Sequence, residues 1–75
     1  MPRRAKPLLQ ARLAKGLRRE RSRLGWTQEH AAEAADMNPR HYQKLEEGSV
    51  NVTLHTLERL SKAFGLDVPE LFATR

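Results

Sequence analysis

From Leu9 onward, the apolar residues of this chain recur at the spacing of an α-helix, and this periodicity constrains the fold more than any other feature. Leucines at positions 9, 13, 17 and 24 predict the buried face of a first helix over about Leu9–Leu24. No stretch alternates between apolar and polar residues, so strands are not expected. We therefore expect an all-α fold.

Signals for helix starts and stops divide the chain into five short helices. Thr27 and Asn38 are placed to cap helices 2 and 3 by accepting a hydrogen bond from a first-turn N–H group, and helix 4 is expected to start at Thr53. Glycines stand where helices 1, 3 and 4 should end: Gly25, Gly48 and Gly65. Asp67 and Glu70 have the spacing of a capping box, which predicts a short fifth helix. Helix 4 is expected to bury a stripe of Leu54, Leu57, Leu60 and Phe64.

The link between helices 2 and 3 is short, Asp36-Met37-Asn38. Such a link joins two helices at a steep angle, as a helix-turn-helix requires. Within helix 3, Tyr42 and Leu45 are expected to face inward, whereas Arg40 and Lys44 fall on the opposite side. We expect residues 1–8 to form a flexible basic arm and residues 9–75 to form one domain.

Basic residues are concentrated near the N-terminus. Residues 1–25 hold nine Lys or Arg residues against one acidic residue, whereas residues 26–75 hold five against eight. A basic end of net charge +8 favours a polyanionic partner such as nucleic acid. A solvated basic tail without a partner is the alternative.

Composition and spacing argue against several other classes of protein. The chain has no cysteine, and its histidines lack the spacing of a zinc motif, so neither a metal nor another cofactor is expected. No serine has a histidine partner at a recognisable motif spacing, which argues against an enzyme. The apolar stretch Leu8-Leu9 is too short for a signal peptide, and no window is long enough to span a membrane. Helix 1 is basic and amphipathic, as in membrane-surface peptides, but the core needs its apolar face. We expect a cytoplasmic protein without a small-molecule ligand.

Several motifs between Leu13 and Phe72 occur in a specific order. They are Thr27-Gln28-Glu29, Leu45-Glu46-x-Gly48, Thr53-Leu54-x-Thr56-Leu57 and Phe64-Gly65-Leu66-x-Val68-x-x-Leu71-Phe72, together with Leu17, Arg21, Gly25 and Ala32. This pattern resembles the lambda-repressor-like, or Cro/XRE, family of transcription regulators. The resemblance implies a compact five-helix domain whose helix 3 enters the major groove of double-stranded DNA, in a bacterial or phage-infected cell. The stretch Asn51-Val52-Thr53-Leu54 is similar to that of controller proteins of restriction-modification systems.

By this resemblance, the outward side of helix 3 is the expected base-reading surface. Arg40 and Lys44 lie four residues apart, and either can donate to O6 and N7 of guanine. Gln43 suits adenine, and His41 can contact a base or a phosphate. Pro39 occupies a position that reads a base in relatives, and here it can offer only an apolar contact. An ordinary solvated helix face is the alternative interpretation.

Phosphate contacts are expected beside this surface. The resemblance implies that Gln28, in the first turn of helix 2, binds a phosphate, and the N–H groups of a helix N-terminus favour an anion. A glutamine that contacts only water is the alternative. Further phosphate contacts are expected from Thr27, Asn38, Ser49, Asn51 and, if the arm makes a defined contact, Arg3 and Arg4.

The resemblance also implies an ion pair between Arg21 and Glu46 that holds helix 3 against helix 1. One domain covers only a few base pairs, so we expect a homodimer on a pseudo-palindromic site. Its interface is predicted to use Val68, Leu71, Phe72 and Phe64, although these residues could instead close the core. An antitoxin-type module that binds a protein partner as well as DNA is the alternative function, but no segment for capturing such a partner is visible beyond helix 5.

Overall fold

The computed structural model describes residues 8–72, and within this range the chain forms five helices and no strand. The helices are α1 (Leu8–Leu24), α2 (Gln28–Ala34), α3 (Pro39–Glu47), α4 (Leu54–Phe64) and α5 (Val68–Leu71). The prediction of an all-α, five-helix fold is confirmed, and α1 begins one residue earlier than expected.

Polar side chains set the helix starts, as the sequence predicted. Thr27 Oγ1 accepts a hydrogen bond from the His30 N–H at 3.0 Å, and Thr53 caps α4 in the same way. Asn38 Oδ1 accepts from the Arg40 N–H at 2.8 Å. Each capping oxygen accepts from a first-turn N–H group that has no acceptor within the helix. The cap therefore stabilises the start of its helix by about 1 kcal/mol.

The turn between α2 and α3 depends on a residue in the left-handed conformation. Asp36 has a φ of +56° and is the only residue other than glycine with a positive φ between positions 8 and 72. Aspartate tolerates this conformation better than most residues because its short polar side chain can hydrogen-bond locally. Asn38, two residues later, caps α3 and Pro39 is the first residue of that helix, so the expected helix-turn-helix is present.

A single cluster of buried apolar side chains joins the five helices. Its members include Leu17 of α1, Ala31 and Ala32 of α2, Tyr42 and Leu45 of α3, Leu60 of α4 and Leu71 of α5. The alanines of α2 give that helix little bulk, which allows a neighbouring helix to approach closely. Tyr42 is fully buried, as predicted for the inward side of helix 3.

Two leucines that the periodicity assigned to the core lie at the surface instead. Leu9 is 65% exposed and Leu54 is 82% exposed. Both stand in the first turn of their helix, one turn before the first buried leucine, Leu13 or Leu57. Periodicity predicts which face of a helix is buried but not how far the neighbouring helices extend along it.

Gly16, in the middle of α1, marks the closest approach of α5. A Cβ atom at this position would lie 1.7 Å from the backbone carbonyl oxygen of Leu71. The glycine therefore weakens α1 by about 1 kcal/mol relative to alanine, but it allows the short terminal helix to pack directly on the backbone of α1.

Candidate nucleic-acid interface

The outward side of α3 is a free polar surface. Pro39, Arg40, His41, Gln43, Lys44 and Glu47 are all exposed, and we call these residues the outer face of α3. The α-helical repeat of 3.6 residues per turn places Arg40 and Lys44 near the middle of this face. All five side chains that the sequence predicted as base-reading groups therefore lie together and open to solvent.

The opposite side of α3, formed by Tyr42, Leu45 and Glu46, is buried, and we call it the inner face. Tyr42 and Leu45 belong to the hydrophobic core. Glu46 is only 3% exposed, which is unusual for a charged residue and requires partners for its carboxylate.

The Glu46 carboxylate receives hydrogen bonds from three helices. Arg21 of α1 binds it with two parallel bonds, Nε to Oε2 at 2.7 Å and Nη2 to Oε1 at 3.0 Å. Gln28 of α2 donates from Nε2 to Oε1 at 2.9 Å, and the Tyr42 hydroxyl of α3 donates to Oε2 at 2.5 Å. Arg21 also donates from Nη1 to the carbonyl oxygen of Trp26 at 3.1 Å. The ion pair between Arg21 and Glu46 thus exists, at the centre of a larger network.

This network keeps the carboxylate ionised. Burial by itself raises the pKa of Glu46, but the hydrogen bonds from Arg21, Tyr42 and Gln28 and the charge of Arg21 outweigh it, so the pKa lies below its ordinary value. Burial and the bond to Glu46 raise the pKa of the Tyr42 hydroxyl, which therefore remains a donor.

Sequence reasoning missed the bonds that Gln28 and Tyr42 make to Glu46. The spacing of Tyr42 and Glu46, four residues apart on one helix, is a signal that could have found their contact. Gln28 and Glu46 are 18 residues apart on different helices, so no local pattern predicts their contact.

The residues predicted to bind phosphate are already engaged with the protein itself. Thr27 and Asn38 accept the capping bonds of α2 and α3. The Ser49 hydroxyl donates to the Lys44 carbonyl oxygen at 3.2 Å, and Asn51 accepts a bond from the Gln10 side chain of α1. These contacts order the loop after α3 beside the start of α1. Arg3 and Arg4 lie outside the described residues.

Comparison with known proteins identifies the family. The Helix-turn-helix family model HTH_3 matches residues 17–71, which is most of the chain. This chain is a Cro/XRE-type helix-turn-helix protein. The family assignment makes it a DNA-binding regulator and confirms the resemblance that the sequence motifs indicated.

Two relatives of this helix-turn-helix regulator are named as restriction-modification or control proteins. Control protein C.MunI of a Mycoplasma species is 37% identical over 59 residues, which cover 79% of this chain and 77% of that protein. The restriction-modification controller protein C.AhdI from Aeromonas hydrophila has a similar structure, with a TM-score of 0.80 and 27% identity over 84% of this chain and 96% of that one. The clp gene regulator ClgR from C. glutamicum is also similar, with a TM-score of 0.78 and 32% identity over 87% of this chain and 84% of that one.

The structure corrects part of the predicted dimer interface of this regulator. Leu71 is fully buried and Phe64 is 4% exposed, because both close the core of the single chain. Neither has free surface to offer a second copy. Val68 and Phe72 are only partly buried and remain available.

The solvent side of α1 is basic, with Arg12, Lys15, Arg18 and Arg23 exposed. The one acidic residue of this helix, Glu20, is buried and bonds Arg23 at 2.6 Å and Arg19 at 3.1 Å. Burial by itself raises the pKa of Glu20, but these arginines outweigh it and hold the pKa below its ordinary value. Part of the positive charge that the sequence concentrates near the N-terminus therefore lies on the surface of α1. No helix within residues 8–72 is long and apolar enough to cross a membrane.

Proposed function

We propose that this protein binds double-stranded DNA sequence-specifically as a homodimer, with α3 of each copy in the major groove of one half of a pseudo-palindromic operator. One observation carries the proposal. The outer face of α3 is exposed along its whole length, while the inner face fixes the helix to α1 and α2 through the buried Glu46 network. A groove of B-DNA about 12 Å wide admits a helix presented in this way.

Base recognition is assigned to the middle of the outer face. Arg40 and Lys44 donate to O6 and N7 of guanine, and each good contact discriminates against a wrong base by about 1–3 kcal/mol. Gln43 reads adenine through its carboxamide, His41 contacts a base or a phosphate, and Pro39 packs against a thymine methyl group.

Phosphate contacts fix the position of α3 on the duplex without reading sequence. We assign them to Thr27 and Gln28 at the start of α2, to Asn38 at the start of α3, and to Ser49 and Asn51 in the loop after α3. In the arm, Arg3 and Arg4 supply further charge. Because such contacts release counterions, binding should weaken steeply as salt is raised.

A dimer is proposed because one copy of α3 reads only a few base pairs. Two copies related by a two-fold axis would place their α3 helices about 34 Å apart, one turn of DNA or a multiple of it. Val68 and Phe72 on α5 are assigned to the contact between copies, since they combine apolar character with remaining exposure.

The regulatory role that we propose is control of a restriction-modification system. The similarity to C.MunI and C.AhdI supports this role. An operator that controls restriction-modification genes is the expected target, in a bacterial cytoplasm.

Selection of bound duplexes from a random pool tests the proposal. We expect a two-fold symmetric consensus and a complex of two protein chains per duplex, measured by native mass spectrometry. An asymmetric consensus with one chain per duplex contradicts the dimer. Recovery of no consensus contradicts sequence-specific binding.

A further inference from the structure

The carboxamide of Gln28 has its orientation set by the protein before any ligand is present. Its Nε2 donates to Oε1 of Glu46 at 2.9 Å. An ionised carboxylate only accepts hydrogen bonds, so this contact requires the amide nitrogen, and not the amide oxygen, to face Glu46. Rotating the amide by half a turn would bring two acceptor oxygens together.

Glu46 can impose this orientation because it is itself immobile. Its two oxygens have separate sets of partners: Oε1 receives Arg21 Nη2 and Gln28 Nε2, whereas Oε2 receives Arg21 Nε and the Tyr42 hydroxyl. Arg21 holds both oxygens at once, which fixes the plane of the carboxylate. A carboxylate that is held in this way does not turn to follow the glutamine.

We propose that Glu46 is a positioning residue for DNA binding, which holds Gln28 so that the second N–H group of its amide nitrogen is presented to a backbone phosphate. This inference rests on the proposed function and deepens it. An amide nitrogen carries two hydrogens, so one bonds Glu46 and the other remains a donor. A glutamine without this partner would also sample the orientation that turns its carbonyl oxygen toward the phosphate, where the two acceptors repel.

The network therefore connects the two elements that meet DNA in the proposed complex. Gln28 is the first residue of α2, and Glu46 lies in the last turn of α3. Since one carboxylate accepts from Gln28 and also holds α3 through Tyr42 and Arg21, the phosphate donor and the base-reading helix keep a fixed mutual position.

A double-mutant cycle in DNA binding tests the proposal, with Gln28→Ala, Glu46→Gln and the double variant measured on the selected duplex by fluorescence anisotropy. In the wild-type background we expect Gln28→Ala to weaken binding about tenfold, the value of one hydrogen bond to a charged group. In the Glu46→Gln background we expect the same change to cost less than about twofold, because the amide is no longer oriented. Equal factors in both backgrounds would overturn the proposal, since a purely structural Glu46 would leave the contribution of Gln28 intact.

Gln43→Ala is the matched control, because Gln43 is an exposed glutamine on the outer face of the same helix that carries Glu46. The factor by which Gln43→Ala weakens binding should differ less between the two Glu46 backgrounds than the factor for Gln28→Ala. All affinities are referred to the folded fraction of each variant, measured by circular dichroism in the same buffer.

If the wild-type protein prefers no duplex at all, the proposed function itself fails. If it binds the duplex but the factors are equal, only the positioning role fails.

A measurement on the wild-type protein covers the case in which Glu46→Gln does not fold. The two side-chain amide protons of Gln28 are assigned by NMR, using Gln28→Ala to identify them. On addition of the duplex, we expect a large shift of one proton, with the proton bonded to Glu46 nearly unchanged. Two unchanged protons in the saturated complex would overturn the proposal.

Discussion

The inner and outer faces of α3 have different tasks, although their residues are neighbours in the sequence. On the inner face, Tyr42, Leu45 and Glu46 are buried and tied to the rest of the molecule. On the outer face, Arg40, Gln43 and Lys44 are exposed. Glu46 and Glu47 show the contrast most directly, because they are adjacent and chemically identical, yet one is buried and the other is exposed. The inner face therefore determines where the helix stands, and the outer face is free to determine what it recognises.

The largest expected effect comes from breaking the inner face with Glu46→Ala. This change leaves Arg21 and the Tyr42 hydroxyl without their acceptor, and we expect the free energy of unfolding to fall by about 3 kcal/mol. This value is at the low end of the range for removing one partner of a buried ion pair, because the Arg21 side chain is still 21% exposed to water. Urea denaturation followed by circular dichroism measures the loss. The matched change Glu47→Ala should stay within about 0.5 kcal/mol of the wild type, and equal losses for the two variants would contradict the division of α3 into two faces.

The outer face is tested by Arg40→Ala. We expect the preference for the selected duplex over random duplex to fall by about 1–3 kcal/mol, while the unfolding temperature remains close to that of the wild type. Lys62→Ala is the control, since it removes another exposed positive charge, from α4. If Arg40→Ala weakens binding to both duplexes by the same factor, its role is electrostatic and not base reading.

Acid should weaken the inner face selectively. The pKa of Glu46 in the folded protein lies below its ordinary value of about 4.5, so its contribution to stability is complete above that pH and is lost as the pH falls through the lower value. We expect the stability of Glu46→Gln to fall less steeply on acidification than that of the wild type. Glu20, whose pKa is also lowered, should retain part of the acid sensitivity in both proteins. Identical slopes in urea denaturation at a series of pH values would show that Glu46 is not held ionised by its partners.

The smallest effect is expected from Glu47→Gln on the outer face. A carboxylate there repels the phosphates of a duplex, and its removal should increase affinity for specific and random DNA alike, by about two- to fivefold at low salt. The gain should shrink as salt is raised, which anisotropy titrations at several salt concentrations can measure. A loss of affinity for the specific duplex alone would instead indicate that Glu47 accepts a hydrogen bond from a base.

Much of the fold could be predicted because its signals are local. Thr27, Asn38 and Thr53 lie next to the N–H groups that they cap, so their roles follow from position alone. The periodicity identified the buried faces but failed at Leu9 and Leu54, where the ends of other helices determine burial.

The candidate site was predicted only in part, because some of its features follow from local sequence and others depend on how the helices pack together. The exposed side of α3 follows from helical geometry once its start at Asn38 is known. The ion pair between Arg21 and Glu46 was predicted from the family pattern. The hydrogen bond between Gln28 and Glu46 was not predicted, because it depends on how α2 packs against α3. Likewise, the sequence left open whether Leu71 lies at an interface or in the core, and the structure buries it, because Gly16 allows α5 to lie directly on α1.

Protection of guanine N7 from methylation tests the central claim most directly, because N7 lies only in the major groove. With the selected duplex, we expect wild-type protein to protect a guanine at symmetric positions in both half-sites. Arg40→Ala should lose this protection at protein concentrations that still saturate the duplex. Bound protein without N7 protection, or protection unchanged in both Arg40→Ala and Lys44→Ala, would contradict the claim that the outer face of α3 reads bases.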